Sequence, residues 1–152
     1  MPTVLNAGDR ERLWKRIASV TEASAPRWGG FTATGMMTHL RLSGQMAVGD
    51  IPFSVKGPIV FRTFPLKQMI LYVLPFPKGA RTAAELLAPA LAPAPGQLEA
   101  ERTALLGLFD RLTMASAPGA LGTHPLFGPL TRGQWGALTY KHYDHHLRQF
   151  GV

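Results

Sequence analysis

The stretch Tyr140-Lys141-His142-Tyr143-Asp144-His145-His146-Leu147-Arg148-Gln149 decides how this chain reads. Thr131 upstream is a suitable N-cap, and the pattern from there through Gln149 predicts one amphipathic helix closing at Phe150. Residues four apart on a helix project from one face, one turn above the other. His142 and His146 therefore have the spacing that lets two imidazoles reach one metal ion. His145 stands within a turn of His142 and offers a second pairing. The histidines are interleaved with Tyr143, Asp144 and Arg148, a pattern of a folded helix and not of an appended tag.

Two ligands from one helix make a weak site, so a third has to come from elsewhere. His39 is the best placed candidate. Thr32 or Thr34 can cap a second helix running to about Val48, with Met36, Leu40, Ser43 or Gly44, and Ala47 as its apolar stripe. His39 falls at the edge of that stripe, and Gly49-Asp50 ends the helix. Three histidines with an open position are the pattern of a catalytic metal site, whereas structural zinc sites are closed by four protein ligands. The chain has no cysteine, which removes thiolate ligands, disulfides and a cysteine nucleophile together.

Two further helices complete the set. Residues 9–20 place Leu13, Ile17 and Val20 on one stripe, with Asp9 as the expected N-cap. Gln97 to Met114 presents Leu98, Leu105, Leu108 or Phe109, and Leu112 on a buried stripe. Glu99, Glu101, Arg102, Asp110 and Arg111 form its expected exposed face. Residues 51–95, between the second and third of these helices, hold most of the thirteen prolines. This insertion reads as irregular, with short helical pieces at Leu66–Leu74 and Thr82–Leu87, and a covering loop or stiffened connector over Leu86–Pro95. Trp14, Trp28 and Trp135 read as core. At 152 residues the chain suits a single domain, 1–152. Four helices with connectors pack most economically as an all-α four-helix bundle.

Sixteen basic residues against nine acidic ones give a formal charge of +7. A nucleic-acid binder concentrates such an excess on one face among aromatic residues. Here the most lopsided stretch, 51–84, spreads Lys56, Arg62, Lys67, Lys78 and Arg81 between prolines. This reads as a solvated surface, for which an anionic substrate is as good a partner as nucleic acid. No apolar run of signal-peptide length precedes Asp9-Arg10-Glu11-Arg12. The longest uncharged piece of the apolar region, Gln68–Pro77, is about half of the ~20 residues that a membrane span needs. The expectation is a cytoplasmic protein with no membrane partner.

His142-Tyr143-Asp144-His145-His146-Leu147-Arg148-Gln149 resembles the closing motif of the DinB/YfiT-like metalloprotein superfamily, and Met37-Thr38-His39-Leu40 resembles its second-helix element. Trp28-Gly29, Phe76-Pro77-Lys78-Gly79, His124-Pro125-Leu126-Phe127-Gly128 and Trp135-Gly136 extend the resemblance over nearly the whole chain, to a poorly characterised branch of that superfamily. Gly35 departs from it, standing where a better helix former is expected.

The resemblance implies a four-helix bundle with a divalent metal, often zinc or nickel, on His39, His142 and His146, and frequent homodimers. It also implies, for some relatives, transfer or isomerisation with a low-molecular-weight thiol. His124 reads either as a fourth ligand or acid/base residue, or as an organiser of its own loop. His145 reads as an acid/base candidate or a packing residue. Gln149 could fix the tautomer of a ligand imidazole, and Asp144 could pair with Arg148. Three functions stay open: a metal-dependent hydrolase or thiol transferase acting on a small-molecule substrate, a non-enzymatic metal-binding or stress-response protein, and a basic nucleic-acid accessory.

Overall fold

Three of the four long helices begin on the side-chain caps that their sequences supply. In the computed structural model, which describes residues 1–79, 84–94, 96–117 and 119–152, helix α1 spans Ala7–Ser19 and α2 spans Ala33–Ala47. The short helices α3 (Leu66–Tyr72) and α4 (Ala84–Leu91) follow, then α5 (Leu98–Met114) and α6 (Arg132–Gln149). Thr32 accepts from the Gly35 amide, and Thr131 forms a reciprocal capping box with Gln134. At α1 the cap is Asn6, which accepts from the Asp9 amide. Asp9 itself lies inside the first turn, where its carboxylate accepts from the Thr3 amide and pairs with Arg12. Placing the cap at Asp9 was therefore three residues late.

Helix accounts for 56% of the described residues, which hold six α-helices and little strand. The two-residue strands Thr123–His124 (β1) and Gly128–Pro129 (β2) pair antiparallel just before α6. The fold is thus mostly helical, consistent with the all-α expectation. Arg81, Thr82, Pro95 and Pro118, on which parts of the insertion and loop readings rested, lie outside the described residues.

Helix α2 is the centre of the molecule. It packs against α4, α5 and α6 and touches β1, so Met36, Met37, Leu40 and Ala47 are fully buried and only Arg41 and Gln45 escape full burial. A helix enclosed on nearly every side has no polar stripe to show. His39, expected at the edge of an apolar face, is 2% exposed. On α5 the predicted apolar stripe is buried, but Glu101 is buried with it and does not belong to the exposed face. Its carboxylate is bound by the Arg41 guanidinium, which also donates to Gln45. The ion pair satisfies a charge that burial alone would penalise.

Residues 88–91, expected within a loop, belong to α4 despite Pro89. Proline removes one helical donor, but α4 recovers stability by burying Leu86 and Ala90 against the core. Gly35 explains itself here: a Cβ built on it would lie 2.2 Å from the Ala90 carbonyl oxygen. The departure at this position is the notch that lets α4 seat on α2. Gly35→Ala is expected to cost about 1–3 kcal/mol by forcing backbone apart. Urea unfolding of the metal-free protein measures it, and an unchanged midpoint would contradict the close contact.

Candidate metal centre

Helices α2 and α6 bring three imidazoles to one point. Nε2 of His39 lies 3.0 Å from Nε2 of His142, which lies 3.1 Å from Nε2 of His146. One ligand nitrogen from each residue falls within 4.8 Å of the others. Nitrogens bound at ~2.0–2.1 Å around a tetrahedral ion sit about 3.3 Å apart, so the two separations to His142 are within a few tenths of an ångström of those in a ligand set. Burial drives the pKa of His39 down to about 4 and that of His146 to about 3, and it lowers His142 well below the ordinary imidazole value. All three rings are therefore neutral at physiological pH, the form in which histidine binds metal.

The tautomer of His146 is fixed by a relay. The side-chain amide of Gln149 donates through Nε2 to the Trp28 carbonyl at 2.6 Å. Its Oε1 must then accept, and it lies 2.8 Å from Nδ1 of His146. The proton is on Nδ1, and the Nε2 lone pair faces the cluster. A proton on Nε2 of His142 can serve only one of its two neighbours, which leaves lone pairs opposed. A cation at the centre satisfies all three, so the donor set fits a metal ion. Among the described residues no hydrogen bond of ordinary geometry reaches the buried Nδ1 of His39, although the Leu86 backbone favours the ring's charged form.

The half-buried Phe31 stacks on the His39 ring with centroids 5.4 Å apart and tilts against His146 at 5.9 Å. His142 is the half-buried member of the three. Phe76 meets the edges of His142 and His145 at 6.1 and 6.0 Å, and Trp28 meets His145 at 5.9 Å. Trp135 is core as expected, but Trp14 and Trp28 are half-buried, and Trp28 belongs to this site.

His124 and His145 are not brought into the three-nitrogen cluster. His145 is half-buried beside His146, with ring centroids 5.2 Å apart. Nδ1 of His124 accepts from the Leu126 and Phe127 amides at 3.1 and 3.2 Å, tying down the turn between β1 and β2. Burial, helped by the charge of Lys67, lowers its pKa to about 4. An unfolded chain takes up this proton near pH 6.5, and the folded chain does not until about 4. Stability from this group is complete above pH 6.5 and is lost as pH falls toward 4. The His124 ring, followed by NMR, is expected to stay neutral down to about pH 5; a midpoint near 6.5 would contradict its two amide bonds. Asp144 faces away from the centre, paired with Arg16 at 2.6 Å and Arg148 at 2.9 Å.

The family model described as "Protein of unknown function (DUF1569)" matches residues 4–151. The chain belongs to that family. No curated protein and no solved structure matches it. In this DUF1569 chain, Trp28, Phe31 and Phe76 were invisible to spacing arguments. The pieces Trp28-Gly29 and Phe76–Gly79 were singled out only by resemblance, and they border the histidines. No helix of the described residues is long and apolar enough to cross a membrane.

Proposed function

We propose that this is a metal-dependent enzyme of the DinB/YfiT-like kind, a four-helix bundle in which His39, His142 and His146 hold one divalent ion, zinc or nickel. The observation that carries this reading is the Trp28–Gln149–His146 relay, which turns a bare nitrogen toward two other neutral imidazoles. Surface histidines need no such arrangement. A divalent ion on three neutral ligands keeps its charge, and it can lower the pKa of water from 15.7 to about 7 or stabilise a thiolate.

The chain's own part is to orient the ligands through Gln149, hold the His39 ring against Phe31, and leave an approach beside the half-buried His142. His145, half-buried at that approach, is the residue proposed for proton transfer. His124 is better explained as the organiser of its turn, because its Nδ1 lone pair is committed to two amides. The reaction class is hydrolysis or transfer from a low-molecular-weight thiol to a small-molecule substrate. By the same resemblance the enzyme works as a homodimer.

One observation favours the non-enzymatic reading. Among the described residues no carboxylate hydrogen-bonds to any of the three imidazoles, so the set of general bases is small. The protein stripped of metal and then restored with zinc or nickel distinguishes the two. Ester hydrolysis or thiol conjugation of an electrophile that appears only on restoration supports the enzyme. A full equivalent of metal with no turnover on either supports a metal-binding protein.

A further inference from the structure

The approach to the three histidines carries two cations seated on aromatic rings. Nζ of Lys78 lies 4.6 Å from the centroid of the Trp28 ring, and Nζ of Lys141 lies 4.9 Å from that of Phe76. Those are the two rings that flank His145, and Phe76 also edges His142. Lys141 donates in addition to the Ile70 carbonyl, which leaves it two further N–H groups. The nearest acid in sequence, Asp144, is consumed by Arg16 and Arg148. Glu85 is paired with Lys56, and Glu22 accepts from Thr34. None of the ion pairs among the described residues involves Lys78 or Lys141. An ammonium held over a ring face is attracted by the ring quadrupole while its charge stays available on the outer side.

We propose that Lys78 and Lys141, on their platforms of Trp28 and Phe76, form an anion-binding subsite beside the metal centre. Its ligand is a small molecule with an apolar body and a carboxylate or phosphate at the end remote from the atom that meets the metal. This rests on the metal reading above and deepens it by giving the substrate's charge and polarity. The apolar body lies against Phe76 and Trp28, where burial of ring surface contributes affinity. The two ammonium groups select charge, because an uncharged analogue leaves them only water. With the added charge of the ion, the whole approach is positive, and an anionic substrate is drawn to it from solution.

A pair of probes tests this: 4-carboxybenzohydroxamate and its methyl ester, which share a metal-seeking hydroxamate and an aromatic body and differ in one charge. They are titrated into cobalt-loaded protein, followed by the visible cobalt spectrum, and into metal-free protein, followed by the Trp28 indole N–H resonance. The acid is expected to bind the cobalt protein about tenfold more tightly than the ester at low salt. The preference should fall to about twofold or less in Lys78→Met/Lys141→Met, with metal content unchanged, and should shrink in 0.5 M salt. Equal binding of acid and ester by a protein that holds a full equivalent of cobalt would overturn the subsite while leaving the metal centre standing. Failure to hold cobalt would overturn the metal reading. The metal-free arm then decides the subsite alone: a Trp28 shift with the acid and not the ester supports it, and no shift with either overturns it.

Discussion

His142→Ala is expected to take the metal content of the purified protein from about one equivalent per chain to essentially none. Two imidazoles from separate helices, His39 and His146, remain after the change, and neither can replace the third. Catalytic zinc sites use three protein ligands as a minimum, and the binding free energy of such a set is shared among few bonds, so losing one removes a large part of it. His142 is the right residue to remove because it is the half-buried member. Its truncation leaves the Phe31–His39 stack and the His146–Gln149 bond untouched. The metal-free variant should therefore unfold at nearly the wild-type midpoint. Elemental analysis after exhaustive dialysis reads the content, and circular dichroism confirms the fold. A variant that keeps its full equivalent would remove His142 from the site.

Gln149→Leu is expected to weaken metal binding by about 10–100-fold without abolishing it, the range found for partners of metal-bound histidines. Gln149 is 4% exposed and links a ligand to a backbone carbonyl 121 residues away. Leucine removes both bonds: Nδ1 of His146 loses its acceptor, and the ring is free to rotate or change tautomer. The Trp28 carbonyl is also left without its donor, so some stability goes with it. Gln149→Glu separates the two effects. A carboxylate still accepts from Nδ1, but it cannot donate to Trp28. Metal affinity should be kept in that variant and stability lost. Competition with a chelator of known affinity measures the first, and thermal unfolding of the metal-free protein the second. Equal metal affinity in Gln149→Leu and wild type would mean that the relay does not orient the ligand.

The candidate site was legible because helical spacing is a local property. His142 and His146 follow from the geometry of one helix, and Gln149 from one more turn of it. Thr32 and Thr131 are helix caps by their position alone, and the structure uses both. What sequence could not give was the surroundings of α2. With α2 enclosed by α4, α5 and α6, no alternation of polar and apolar residues marks the His39 ring as inward. Glu101 misled for a related reason, since its partner Arg41 lies 60 positions away on α2. The helix through Pro89 was hidden because tertiary packing overrides the intrinsic penalty of proline. The aromatic and lysine residues at the approach come from residues 28, 76 and 78, in connecting segments, and from residue 141 on α6. Their meeting depends on how long loops close, and periodicity does not reach that far.

The central claim is that one ion sits between Nε2 of His39, His142 and His146. Crystals of the protein grown with zinc or nickel, with diffraction collected on both sides of the metal's absorption edge, test it directly. The expected result is a single anomalous peak about 2.0–2.1 Å from all three nitrogens. A difference map with no peak there, in crystals whose protein carries a full equivalent of metal elsewhere, would contradict the account.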